Sequence, residues 1–492
     1  MFTGKKMTAL ILCAMLAAQM AACGGTDTPS GTNDTTAAAG DDTTAAAEYQ
    51  YPYPTTGFGG EEFVILNMED IYNMHSVMDR EELTGESLDD AIFNRNRLIE
   101  QKFDIKLKEE LVTETWEFLA VPAAVRTSVM AGDDTYDVCF VPMAGSSGLI
   151  TEGCFFELGG IDTLQLSEDW WYTSFNDAIT IGGKLYGAVG GANIMIHDAT
   201  RILAFNYEMM DELKLDKPYD LVREGKWTLD AFNKYLAASA SLNGDEAFTW
   251  NMNGKATYGY SHNQNGIANF LFGGGEIVFS KKGDELVYGG VSERFYNLLD
   301  KMMNVLTTTD GKVYQGQAGD DMNAEEGGYI YAFKTGRALF SQAEINKFQV
   351  FRDLKFDYGV VPFPKYDETQ DRYYSNAWAG ATAMFIPVTN PDPEKAGFIM
   401  DAMAYEGEKN VVPTFRNISV EQKGLRNDDS IEMLGIVTDA LVPLYHDIFK
   451  VGTTMITDLG TEMWNRTGGF ASVVAANETT IKTEIDKITE NW

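Results

Sequence analysis

Four histidines, His75, His197, His262 and His446, are where a metal or proton-transfer site would first be sought, and no two stand at zinc-ligand spacing. The sequence contains no Gly-x-Ser-x-Gly elbow, no phosphate loop and no His-Glu-x-x-His. Gly182-Gly183 and Gly273-Gly274-Gly275 lack the Lys-Ser/Thr pair that grips phosphate, so they read as turns. The calcium-loop pattern of alternating acids ending in Glu is also missing. A glycosidase pair stays open, because two spaced carboxyls are all that chemistry needs and the chain carries 73 acidic residues. Nothing in these patterns calls for a metal or a cofactor. Flat aromatic surface is the resource in surplus, with eight Trp and twenty-three Tyr.

The elements that would position such residues alternate in type. Glu62-Phe63-Val64-Ile65-Leu66 is a short β-type run, and Tyr136-Asp137-Val138-Cys139-Phe140-Val141 reads as a buried parallel strand. Ser87 is placed to open a helix with Asp90 three residues on, as in a capping box, and Leu88, Ala91, Ile92, Ile99 and Phe103 recur at helical spacing. Thr228 caps a helix carrying Leu229, Phe232 and Leu236 on one face. Asp392-Pro393 opens another, which runs through Ile399 and Met403 to a stop at Gly407. Strands alternating with amphipathic helices imply α/β lobes with largely parallel sheets.

The N-terminus carries an address. Lys5 and Lys6 precede an apolar stretch from Met7 to Met20, interrupted by Thr8 and Gln19 and too short to span a bilayer, which needs ~20 residues. Small residues follow, in Met20-Ala21-Ala22-Cys23, so residues 1–22 read as a secretory signal. Cys23 after two alanines resembles a bacterial lipobox, with Met20 where Leu is usual, and is the expected lipidation site. Gly24 to Ala47 holds no aromatic or large aliphatic residue and cannot offset its ordering entropy, so 23–57 reads as a lipidated Cys and flexible tether. What remains exceeds one ordinary core and suggests two lobes. A net charge of −35 argues against nucleic acid as a partner. Cys139 and Cys154 remain, in a compartment that permits a disulfide without requiring one.

Several ordered fragments resemble the extracellular solute-binding proteins of carbohydrate ABC importers, the group that includes maltose-binding protein. They are Gly85-Glu86-Ser87 through Asn94-Arg95-Asn96-Arg97; Ala131-Gly132-Asp133-Asp134-Thr135-Tyr136-Asp137; Ile181-Gly182-Gly183-Lys184-Leu185-Tyr186-Gly187; and Leu203-Ala204-Phe205-Asn206-Tyr207. The most specific is Phe333-Lys334-Thr335-Gly336-Arg337-Ala338-Leu339-Phe340, followed by Phe356-Asp357-Tyr358-Gly359-Val360-Val361-Pro362-Phe363-Pro364. The resemblance implies a two-lobed periplasmic-binding-protein-like fold (type II), each lobe a mostly parallel sheet flanked by helices, with hinge strands between. By it, lobe one is 58–195 plus 362–410 and lobe two is 196–361 plus 411–492. It further implies a monomer that captures a carbohydrate, an oligosaccharide, between its lobes. The chain would be held by lipid on the outer face of the bacterial cell membrane and would deliver its ligand to the ABC transporter permease.

A sugar presents apolar C–H faces and a rim of hydroxyls, so its site wants aromatics and polar side chains. With strand ends lining the cleft, the candidates are Asn67 and Glu69 after the first strand, where a plain solvated loop is the other reading. Met143, Ala144 and Ser146 follow the second strand. Asn193 precedes a lobe crossing, and His197 beside it is either a ligand contact or a buried structural histidine. Asn263 and Gln264 follow Tyr258-Gly259-Tyr260. Gln342 and Glu344 end the Ala338-Leu339-Phe340 strand, and Trp378, between Ala377 and Ala379, is the stacking candidate. Trp170 and Trp171 read as a structural pair, Trp227 as core, and Trp464 and Arg466 as late residues that could reach the cleft. Two other functions fit the same residues: a secreted glycoside-active enzyme, and a binder of peptides or another small solute.

Overall fold

Each β-rich run of the sequence is bounded by turn residues, and the computed structural model shows what they build. It describes residues 57–263, 266–306, 310–316, 328–418, 425 and 427–492. The signal, Cys23, almost all of the tether and Gln264 lie outside the described residues. In chain order the strands are Glu61–Met68 (β1), Ile105–Val112 (β2), Val138–Pro142 (β3), Arg201–Asn206 (β4), Tyr258–His262 (β5), Phe279–Lys282 (β6), Glu285–Tyr288 (β7), Val313–Gln315 (β8), Ala338–Glu344 (β9), Tyr358–Val361 (β10) and Thr382–Phe385 (β11).

Two mixed sheets organise the chain. One has the order β11-β3-β1-β2, the other β10-β4-β9-β5-β8, and β6 and β7 form a separate hairpin. In the first sheet β1 runs parallel to β2 over eight positions and parallel to β3, while β11 closes the edge antiparallel to β3. In the second, β5 is parallel to β8 and β9, whereas β4 is antiparallel to both β9 and β10. The antiparallel pairs belong to strands that adjoin the passages between the sheets.

Those passages lie side by side. The chain enters the second sheet through Ala199–Arg201 and leaves it through Asn376–Trp378. The two are bonded by Arg201 N–H to the Asn376 carbonyl (2.9 Å) and by Trp378 N–H to the Ala199 carbonyl (3.0 Å). A third segment joins them, where Ser375 N–H meets the Ala440 carbonyl and Val442 N–H meets the Ser375 carbonyl, each at 2.9 Å.

Local chemistry explains the helices. Thr228 accepts from Ala231 N–H at 3.3 Å and Asp392 from Lys395 N–H at 3.0 Å, so both act as N-caps. The helix Ser87–Phe103 starts differently. Its Ser87 lies inside the first turn, and Asp90 reaches back to the N–H groups of Thr84 (2.9 Å) and Gly85 (3.1 Å). Gly85, at φ +81°, turns those amides toward the carboxylate. Gly407 does not stop the helix Pro393–Glu406 either. The chain widens there into a π-turn, Gly407–Val411, and continues. Glycine is needed for approach: a Cβ on Gly407 would overlap the Gly191 carbonyl.

Packing then fixes the halves. In the first sheet Val138, Cys139, Phe140 and Val141 are all buried, and Cys139 and Cys154 are both free thiols. Around the second sheet, Phe232 packs against Trp227, Tyr260 and Phe340 with ring centres 5.1–5.7 Å apart. Trp227 is fully buried and donates its indole N–H to the Pro362 carbonyl at 2.9 Å. Trp170 and Trp171 are also buried, and both donate to one oxygen of Asp401, at 3.1 and 2.7 Å. They are structural. Among the described residues no helix is long and apolar enough to cross a membrane.

Candidate ligand-binding site

The loop after β2 and the strands β4 and β8 face one another across a cavity of about 720 Å³. That size falls within the ~300–1,000 Å³ range of small-molecule sites. Trp116 projects from the loop and is 70% exposed. Trp378 lines the cavity from the second passage, with the edge-on rings of Tyr72 (5.9 Å, 63°) and Phe118 (5.0 Å, 65°) against it. Trp464, at the end of the helix Thr453–Trp464, lines it from the late helices. Its ring lies on His262 (4.8 Å, 15°), which lies in turn on Tyr260 (5.0 Å, 5°). Burial pushes His262 down to about 3, so this stack is uncharged at neutral pH.

Polar groups converge on the same space. Arg201, at the start of β4, lines the cavity and donates through Nη1 to Asn269 Oδ1 (2.6 Å) and Asn376 Oδ1 (3.4 Å). Its Nε is 3.6 Å from Glu344 Oε1, a pairing set by the β4–β9 register, which puts Arg201 opposite Glu344. Gln315, Asp447 and Thr457 add further polar edges. Burial holds His446, beside Asp447, below its ordinary value and favours the neutral ring. Three indoles and a set of hydrogen-bonding groups around one cavity can cover apolar ring faces while satisfying hydroxyls at their rim.

Of the residues read from the sequence, the structure brings Trp378 and Trp464 to the cavity and places Glu344 beside Arg201. Gln342 is buried next to Glu344 in β9, and its Oε1 has no hydrogen-bond partner among the described residues. Asn67 is elsewhere: fully buried, it donates to the Ser76 carbonyl (2.7 Å) and Glu109 Oε1 (2.8 Å). Asn193 supports the same loop, donating to the Ser76 carbonyl at 3.4 Å and accepting from Met195 N–H at 2.7 Å. Glu69 accepts from the Thr113 hydroxyl at 2.8 Å outside the cavity lining. Asn263 follows β5, its carbonyl taking Gly266 N–H at 3.0 Å, and is not part of the lining. His197 meets the Tyr172 hydroxyl at 2.9 Å, and Arg466 turns away to the Met303 carbonyl. Ser146 is buried on the Met143 carbonyl.

Sequence reading missed Trp116, Arg201, Gln315 and Asp447. Arg201 left one signal, a lone charge opening the otherwise apolar run Ile202-Leu203-Ala204-Phe205. Trp116 left another, an indole between Thr115 and Glu117 where no apolar periodicity asks for it.

A second cavity, about 310 Å³, is lined by Asp70, His75, Arg80, Asp198, Gln349 and Arg352 among others. Its charges largely satisfy one another: Arg80 pairs with Asp89 at 2.7 Å and His75 with buried Asp198 at 3.2 Å. Burial pulls His75 down, and Asp198 more than offsets it, leaving the imidazole above its ordinary value. Lacking indole platforms and occupied by ion pairs, it is the weaker site. Nearby, the Tyr72 carbonyl accepts from Lys347 Nζ (3.1 Å) and Asn346 Nδ2 (3.4 Å), tying the loop after β1 to the segment after β9.

No protein-family model and no curated protein sequence matches the chain. Solved structures do. The galacto-N-biose/lacto-N-biose I-binding protein of an ABC transporter from Bifidobacterium longum, in complex with lacto-N-biose, aligns at TM-score 0.57 and 12% identity, over 88% of this chain and 99% of that one. RafE from Streptococcus pneumoniae aligns at 0.54 and 14%, over 90% and 100%. The ABC substrate-binding protein Lmo0181 from Listeria monocytogenes, in complex with cycloalternan, aligns at 0.52 and 15%, over 88% and 98%. At these identities the likeness is one of fold, and it extends over nearly the whole of each neighbour. The chain therefore has the two-lobed α/β fold of ABC-transporter substrate-binding proteins.

Proposed function

We propose that this chain captures a carbohydrate, an oligosaccharide, between two lobes and passes it to the permease of an ABC importer. The lobes are 58–195 plus 362–410 and 196–361 plus 411–492. Three indoles, Trp116, Trp378 and Trp464, around one cavity of about 720 Å³ carry the reading. Flat apolar faces next to hydrogen-bonding edges match a sugar ring better than a metal, a nucleotide phosphate or a bare hydrocarbon. Two of the neighbours in fold were solved with lacto-N-biose and with cycloalternan, which supports the same class of ligand. The protein acts by binding and not by catalysis. It works as a monomer, fixed by lipid on Cys23 to the outer face of the cell membrane and tethered by the segment up to residue 57.

The bonded passages beside Trp378 and Arg201 support a hinge next to the ligand, whose binding energy then favours lobe closure. A thermal-shift screen over mono- and oligosaccharides tests the reading, because a ligand at 100 times its dissociation constant stabilises by about 2.7 kcal/mol. The expected result is a shift with a neutral oligosaccharide recovered uncut. Cleaved sugar, or a shift only with peptides, would overturn it.

A further inference from the structure

Arg201 is the one cationic side chain among the described residues lining the large cavity. Its surroundings fix it on three sides. Asn269 Oδ1 and Asn376 Oδ1 take Nη1, and Glu344, its cross-strand partner, stands 3.6 Å from Nε. Asn376 belongs to one passage between the sheets and Arg201 to the other, so the guanidinium sits where they meet. A guanidinium has five N–H donors in a rigid fork and stays charged at all physiological pH. Its bonds to described residues use Nη1 alone, which leaves Nη2 uncommitted beside the cavity.

The charge of that donor already has a partner. Glu344 pairs with Arg201, burial shifts His446 toward its neutral form, and Asp447 adds a negative charge to the lining. We infer that Arg201 is the specificity-determining group of the cavity, giving a charge-assisted hydrogen bond to a hydroxyl or ring oxygen of a neutral sugar while the carboxylates of Glu344 and Asp447 disfavour sugar acids. This rests on the carbohydrate reading above and names the class of carbohydrate. A neutral hydroxyl accepts from Arg201 without disturbing its pairing with Glu344. A uronate would have to compete with Glu344 for the same cation and would meet the negative charge of Asp447.

The test compares maltotriose and raffinose with trigalacturonate on the full chain, by calorimetric titration. Wild type is expected to bind at least one of the neutral trisaccharides at least tenfold more tightly than trigalacturonate. Because Arg201→Gln alone strands the buried Glu344 carboxylate, the double variant Arg201→Gln/Glu344→Gln is measured as well. It should melt as a folded protein, bind the neutral sugar at least tenfold more weakly and lose most of the discrimination. Trigalacturonate binding as tightly as the neutral sugars, or unchanged neutral-sugar affinity in the folded double variant, overturns the role of Arg201 and leaves the carbohydrate reading standing. Absence of binding by all three sugars at millimolar concentration overturns both.

Discussion

The indole of Trp464 lies flat on the imidazole of His262, ring centres 4.8 Å apart and planes 15° from parallel. One face of the indole is thereby committed to the protein, at the edge of a cavity that the same residue lines. Trp464→Ala should weaken oligosaccharide binding about tenfold, as the loss of a stacking platform does, and uncover His262. The imidazole, held at about 3 by burial, should then titrate nearer its ordinary range. Proton NMR of the histidine ring reads this directly; an unmoved titration with unchanged affinity would remove Trp464 from the site.

Trp116 separates binding from stability. At 70% exposure it has little packing to lose, so Trp116→Ala should change unfolding free energy by no more than ~0.5 kcal/mol. Oligosaccharide affinity should fall severalfold in the same protein. Paired denaturation and titration curves check both halves.

Asp401 makes the opposite prediction. One of its oxygens, Oδ1, accepts both the Trp170 and Trp171 indole N–H groups as well as the Gln165 N–H, and the residue is fully buried. Asp401→Ala would strand two buried donors at about 1–3 kcal/mol each. Urea unfolding should therefore show a loss of about 2–6 kcal/mol; a loss below 1 kcal/mol (roughly the cost of an ordinary surface change) would contradict the structural role.

Glu109 gives stability a pH dependence. Burial pushes its carboxyl up to about 7 from 4.5, against the pull of Asn67 and the Met78 and Asp79 N–H groups. The folded state thus holds this proton more tightly than the unfolded chain between those values. Its contribution to stability falls as pH rises through that window and stays constant above it. The unfolding free energy of wild type minus that of Glu109→Gln should be smaller at about pH 7.5 than at about pH 5, by a few kcal/mol at most. A difference that grows with pH would reverse the sign of the argument.

What the sequence could show follows the range of the interactions. The caps at Thr228 and Asp392 are visible because their partners stand three residues away. Residues of β1, β3 and β9 are legible from apolar runs for the same local reason. Asn67 reads in sequence as a loop contact at a strand end, but its partner Glu109 lies 42 residues on and is delivered by the β1–β2 register. Arg201 is not legible in sequence because its partners lie 68 and 175 residues away, one on the helix after β5 and the other on the second passage. Gly407 read as a helix stop because the need for glycine there comes from Gly191, far off in sequence. The place of Trp378 in the cavity lining is legible from its small neighbours, whereas Trp116, in a turn, leaves only the signal of an indole outside any apolar period.

A crystal structure grown with the best oligosaccharide of the thermal screen tests the central claim most directly. The account predicts sugar rings within the cavity of about 720 Å³, resting on Trp378 and Trp464. Sugar bound outside that cavity, or a vacant cavity at saturating ligand, would contradict it.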